Sequence, residues 1–140
     1  MRTTLLALIG WMLLNVSAAV AAPTQAQYDR FFEALGAVES CNRDTVADGD
    51  SGRAIGRYQI WKSYFADSRV TGSYEQCRNG DYARQVVEAY LKRYAAKAWA
   101  SGDWESLARC HNSGPRWAQK KAATQAYWNK VAKEMGRVII

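Results

Sequence analysis

A chain of 140 residues with 19 Lys and Arg against 13 Asp and Glu carries a formal net charge of +6 and has room for one domain around a single core. One histidine and three cysteines, with no Cys-x-x-Cys, leave no ligand set for zinc, so no metal and no other cofactor is expected. The basic residues are scattered rather than gathered into a stripe, and no base-reading motif accompanies them, so no nucleic-acid partner is expected either.

The chain opens on a secretory pattern. Arg2 precedes the apolar run Leu5 to Val16, and the small residues that follow include Ala19-Val20-Ala21. Residues 1–21 are therefore expected to be a signal peptide and residues 22–140 the mature domain. The run falls short of the roughly 20 residues a bilayer requires, and no second apolar stretch exists. No stable membrane insertion after cleavage is expected, and the location is secreted or periplasmic. Loss of Arg2 takes one residue from the 19 basic ones and none from the 13 acidic ones, leaving a net +5. Such a charge draws a protein to polyanions, cell-wall glycans and anionic lipid among them.

Tyr28, Phe31, Phe32, Leu35 and Val38 recur at helical spacing and predict a helix from about Thr24 to Ser40. Glu39 lies at the rim of its apolar face, near the helix end. Residues 42–53 are dense in Gly, Asp and Ser, which signals turns. Ala54 to Trp61 reads as a short strand within a small β-hairpin or loop-plus-strand. Trp61 to Ser68 reads as a short helix. Asp81 is the expected N-cap of a longer helix to Trp99, with Val86, Val87, Tyr90, Leu91, Tyr94 and Ala98 facing the core. Asp103 caps another helix bearing Trp104, Leu107 and His111. A last helix from about Arg116 to Met135 buries Trp117, Tyr127, Trp128 and Val131, and Gly136 ends it. The balance is α+β, mainly α.

Glycoside cleavage sets a specific requirement: a carboxylic acid must deliver a proton to a poor leaving group, which partial burial against apolar surface favours. Glu39 has the local sequence for this, with Leu35, Gly36 and Val38 around it and no basic residue in the three before it. The alternative is an ordinary exposed glutamate, although a negative charge at a helix C-terminus is mildly unfavourable. A second carboxylate would stabilise the cationic transition state, attack it, or activate water. Asp44, Asp48 and Asp50 follow Glu39; Asp50 is favoured, with Asp48 next. The competing reading of Asp-Gly-Asp-Ser-Gly is a tight turn chosen for its backbone. His111 lacks a fixed nucleophile partner, because the adjacent Cys110 points elsewhere on a helix, so a packed, hydrogen-bonded histidine is expected.

Five stretches in order resemble one known family: Glu39-Ser40, Gly56-Arg57-Tyr58-Gln59-Ile60, Tyr90-Leu91-Lys92-Arg93-Tyr94, Ala108 to Pro115, and Tyr127-Trp128-Asn129. Together they resemble the lysozyme-like superfamily, most nearly the invertebrate-type lysozymes of the destabilase family. Lytic transglycosylases and goose-type lysozymes are similar more loosely. The resemblance covers roughly residues 32–131. It implies a lysozyme-like fold with a small β-hairpin after the first helix and a substrate cleft. It implies cleavage of peptidoglycan glycan strands with Glu39 as the acid, by hydrolysis or by transglycosylation. Ser40, Tyr58, Gln59, His111 and Asn112 would bind substrate or hold the cleft wall; a non-catalytic glycan-binding protein on the same fold is the other reading. A monomer is expected. The chain departs from the family in having few cysteines, in Ser113 replacing a turn glycine, and in Gly49 standing where the family has its aspartate. A disulfide between Cys41 and Cys110 would staple the two halves of the site.

Overall fold

The first helix, α1 (Gln25–Ser40), starts where its cap dictates. Thr24 accepts the amide of Gln27 at 3.3 Å, and Gln27 Oε1 accepts the amide of Thr24 at 2.8 Å. This reciprocal box satisfies two amides that a helix end otherwise leaves unbonded. The computed structural model describes residues 21–137, so the expected signal peptide lies almost wholly outside the described residues. Phe31, Phe32, Ala34 and Leu35 form the buried face of α1. Cys41 closes the helix in the left-handed conformation (φ 55°), and the amides of Cys41 and Asn42 bond back to Ala37 and Gly36 at 3.1 and 3.0 Å.

The stretch Ala54–Trp61 is a hairpin rather than one strand. β1 (Ala54–Ile55) pairs antiparallel with β2 (Ile60–Trp61), Ala54 opposite Trp61 and Ile55 opposite Ile60. Gly56 (φ 70°) and Gln59 (φ 47°) reverse the chain between them, and the Gln59 amide donates to the Gly56 carbonyl at 3.0 Å. Gly56 is required twice over. Its φ suits glycine, and a Cβ there would sit 2.1 Å from the Cys77 carbonyl oxygen. Gly56→Ala is expected to destabilise the protein by about 2–3 kcal/mol, read as a lower urea midpoint at unchanged slope. Unfolding at the wild-type midpoint would show that the hairpin moves aside without strain.

α2 (Lys62–Ser68) follows directly and turns Tyr64 and Phe65 inward. A 3-10 turn, Tyr74–Arg78, leads to α3 (Gly80–Tyr94). The α3 cap is Asn79, whose side chain accepts the Tyr82 amide at 3.0 Å, not Asp81; Asp81 falls in the first turn, where its charge suits the helix dipole. α3 also stops short of Trp99. Ala95 (φ −139°) breaks it, and α4 (Ala96–Ser101) leaves in a new direction. That bend brings Trp99 onto α1: its ring stacks on Tyr28 at 4.4 Å, and the Tyr28 hydroxyl donates to the Trp99 carbonyl at 2.7 Å.

α5 (Trp104–Ser113) begins at Asp103, as its sequence predicts, with the Ser106 amide donating to the cap at 3.1 Å. The expected helix from Arg116 is instead a 3-10 turn, Trp117–Gln119, and then α6 (Gln125–Gly136). Arg109, only 2% exposed, explains the interruption. Its guanidinium donates to the Lys121 carbonyl at 2.6 Å, Thr124 Oγ1 at 2.7 Å, Gln125 Oε1 at 2.7 Å and Glu105 Oε1. The segment before α6 is shaped to present these acceptors.

α1, α3 and α5 surround a core of Phe31, Leu35, Val86, Leu91 and Leu107, which the hairpin closes with Ile55 and Ile60 and α6 with Val131. The architecture is thus mainly helical with one two-stranded sheet. The Cys41–Cys110 bridge is not formed: Cys41, Cys77 and Cys110 are free thiols. Cys41 is exposed at the helix cap, whereas Cys110 is fully buried on the core face of α5. Among the described residues no helix is long and apolar enough to cross a membrane.

Candidate active site

The end of α1, the hairpin, α2 and the end of α5 converge on a cavity of about 320 Å³ whose lining includes Glu39, Asp50, Gln59, Trp61, Tyr64 and His111, together with Ala54 and Asn112. Glu39 projects from the last turn of α1 with 19% of its side chain exposed. Tyr127 of α6 donates to Glu39 Oε1 at 2.7 Å. His111 Nε2 stands 3.5 Å from the same oxygen, and His111 Nδ1 lies 3.0 Å from the Tyr64 hydroxyl. The Tyr64 ring stacks on Tyr90 at 3.6 Å and 14°. Burial, first, and then the nearby Glu39 charge push the Tyr127 phenol well above its usual range. Burial does the same to Tyr64, with Cys110, Tyr90 and Glu39 adding to it. Both therefore remain neutral hydrogen-bond donors at any physiological pH.

The aspartates separate clearly. Asp50 lines the cavity, held at 3.0 Å by Arg53. Asp48 turns away and forms a two-point ion pair with Arg78 at 2.6 and 3.0 Å; that guanidinium holds its carboxyl below the usual range. A side chain at position 49 would displace the Gln59 amide, since a Cβ on Gly49 would lie 2.0 Å from Gln59 Oε1. Asp44 is engaged by Arg57 at 2.7 Å and by the Gly80 amide at 3.2 Å, at the start of α3.

Of the residues expected to face substrate, Gln59, His111 and Asn112 reach the cavity. Two do not. Tyr58 is 3% exposed and packs edge-on against Phe32, because the turn after Gly56 points it into the core. Ser40 is buried, with its hydroxyl donating to the Gly36 carbonyl at 3.2 Å and accepting the Arg43 amide at 3.2 Å; it completes the helix end. Burial pushes the Cys110 thiol up to about 12, so the cysteine beside His111 supplies no thiolate. Tyr64, Trp61 and Tyr127 were not legible as site residues. Helical spacing marks Tyr127 only as core, although a buried tyrosine hydroxyl always needs a partner.

A larger depression, about 530 Å³, lies between α1 and the end of α6 around Asp29, Glu33, Glu134 and Arg137. It contains none of the motif residues, and two of its three carboxylates are committed to Arg84 and Arg137. The smaller cavity holds the motif residues, and the partly buried Glu39 and the carboxylate of Asp50 both line it.

Residues 29–134 match the family described as Destabilase. A lysozyme of Meretrix lusoria is 36% identical over 102 residues, covering 71% of this chain and 83% of that protein. A lysozyme of Ostrea edulis is 40% identical over 85 residues, covering 57% of this chain and 61% of that protein, so the chain spans about three-fifths of its length. Among solved structures, the crystal structure of Aeromonas hydrophila PliI in complex with Meretrix lusoria lysozyme contains a chain that superposes with a TM-score of 0.63 at 34% identity, covering 76% of this chain and 89% of that one.

Proposed function

The chain belongs to the destabilase family, and we propose that it is an exported peptidoglycan-cleaving glycosidase of the lysozyme type, with Glu39 as general acid. One observation carries this reading: Glu39 and Asp50 line the same cavity, and Glu39 is oriented there by Tyr127 and His111. Glu39 protonates the oxygen linking N-acetylmuramic acid to N-acetylglucosamine. Asp50 then stabilises the oxocarbenium-like sugar, attacks it, or activates water. Gln59 and Asn112 offer amide donors and acceptors to the sugar hydroxyls. Trp61, 41% exposed at the cavity and covered on one side by Arg53 at 4.9 Å, offers an aromatic face for a sugar ring. The protein works as a monomer and without cofactor in this reading.

The test is incubation of the mature protein with purified peptidoglycan and identification of the released fragments by mass. Reducing-end muropeptides support the hydrolase. Products lighter by one water are 1,6-anhydro sugars and would make it a lytic transglycosylase. Binding without release from several wall types would reduce it to a glycan-binding protein.

The aspartates supply a sharper check. Asp50→Asn is expected to slow product release by about 10²-fold, the usual scale for losing one preorganised charge at a developing cation. Asp48→Asn should stay within about twofold of wild type, since Asp48 spends its charge on Arg78 outside the cavity. The reverse ranking would transfer the second carboxylate's role to Asp48.

A further inference from the structure

The proposed acid has two oxygens, and their surroundings are unequal. Oε1 receives the Tyr127 hydroxyl at 2.7 Å and faces His111 Nε2 at 3.5 Å, while no hydrogen bond reaches Oε2 among the described residues. What His111 presents to Oε1 depends on which ring nitrogen bears the proton. A neutral imidazole has one N–H and one bare nitrogen, and the group bonded to one nitrogen sets the other.

That group is Tyr64. Its hydroxyl has one proton, and His111 Nδ1, 3.0 Å away, is the acceptor within reach among the described residues. The other groups beside the Tyr64 hydroxyl are the Cys110 thiol, the Tyr90 ring and Glu39, and none of them accepts its hydrogen bond. If Nδ1 carried the imidazole proton, the phenol proton would lose its one side-chain acceptor among the described residues, a less favourable arrangement at a part-buried site. With Tyr64 donating to Nδ1, the phenol proton has its partner and the Nε2 proton lies on the side of Glu39, 3.5 Å from Oε1. The ring cannot easily swing away, because Tyr64 is clamped on Tyr90 at 3.6 Å.

Resting on the glycosidase reading above, we infer that Tyr64 is a positioning residue: it locks His111 in the Nε2–H tautomer, so that His111 and Tyr127 both donate to Glu39 Oε1 and the proton delivered to the substrate resides on Oε2. In the acid step that proton passes from Oε2 to the glycosidic oxygen. The carbon–oxygen bond breaks with its electron pair going to the departing alcohol, and the positive charge stays on the anomeric carbon. The carboxylate left on Glu39 is received by the Tyr127 hydroxyl already bonded to Oε1 and by Nε2–H, which closes from 3.5 Å as the charge forms.

His111 is the chain's only histidine, which makes its tautomer directly readable. The experiment is a long-range proton–nitrogen NMR spectrum of the mature protein labelled with 15N-histidine, recorded where the ring is neutral, alongside steady-state kinetics on a soluble peptidoglycan oligomer. Wild type is expected to show a protonated Nε2 and a bare Nδ1. Tyr64→Phe keeps the ring and its stacking. It is expected to lose the tautomer preference and to lower kcat about tenfold, what one hydrogen bond of ordinary strength is worth, with KM within twofold. In His111→Gln, whose amide donates to Glu39 without help from Tyr64, adding Tyr64→Phe should change the rate little. A proton on Nδ1 in wild type overturns the inference. So does a Tyr64→Phe variant with an unchanged tautomer and kcat, or one that slows His111→Gln by the same tenfold. Absence of any product from wild type overturns the glycosidase reading and the catalytic half of the inference with it, whatever the spectrum shows.

Discussion

Glu39→Gln is expected to lower peptidoglycan cleavage by about 10³-fold or more, within the range seen when a general acid is removed. Glutamine matches glutamate in shape but has no acidic proton to surrender. The site should otherwise persist. The glutamine carbonyl oxygen can occupy the Oε1 position and accept from the Tyr127 hydroxyl and His111, while its amide faces the cavity. The fold at this point rests on the Cys41 and Asn42 amides closing α1, not on the Glu39 charge. The variant should therefore unfold within a degree or two of wild type and still bind glycan. Measuring soluble muropeptides by mass spectrometry beside thermal unfolding separates chemistry from folding. A variant that folds normally and retains a tenth of wild-type turnover would remove Glu39 from the proton-delivery step.

Arg109→Ala is expected to have the largest effect on stability, about 3–4 kcal/mol, because it empties the space of a side chain only 2% exposed and takes the guanidinium from the buried Thr124 hydroxyl, while the acceptors on the exposed Lys121 and Gln125 turn to water. Thr124 is 1% exposed and loses the guanidinium from its Oγ1; the Lys121 carbonyl and Gln125 side chain lose theirs. Glu105, with 47% of its side chain exposed, is left in water and contributes little to the cost. Against a total stability of roughly 5–15 kcal/mol this is a large fraction, and for a domain of this size it amounts to a melting temperature lower by about 10–15 °C. The damage extends to the site. The pinned segment sets where α6 begins, and α6 carries Tyr127 to Glu39. Catalytic loss below the melting temperature should accompany the stability loss, and Arg109→Lys should restore only part of either, since an ammonium cannot reach four acceptors in one plane. Wild-type melting of Arg109→Ala in a calorimeter would show the network to be energetically idle.

The pattern of what was legible follows the range of the forces involved. α1, α2 and α5 begin and end close to where spacing and caps place them, because Thr24, Asp103 and the apolar repeat act within a few residues. The motif Gly56 to Ile60 was recognisable as part of a small hairpin, but not where the chain reverses within it, since two positive φ values are set by how the turn packs on Cys77 and Gly49. The break at Ala95 serves the seating of Trp99 on Tyr28, a contact across 71 positions that no helix propensity reports. The delayed start of α6 answers to Arg109.

By itself, then, the amino-acid sequence determined the mainly helical class, the order of the motifs and the presence of a glutamate at the end of an amphipathic helix, all of which are local matters of periodicity and capping. Only the tertiary structure decided that Asp50 and not Asp48 shares a cavity with Glu39, that Tyr58 and Ser40 turn inward, and that Cys41 and Cys110 stay apart. It alone brought Tyr127 to Glu39 from 88 positions away and Tyr64 to His111 from 47. The reason is that a hydrogen bond or ion pair across such distances is selected by which surfaces the core brings together, and that selection leaves no period in the chain.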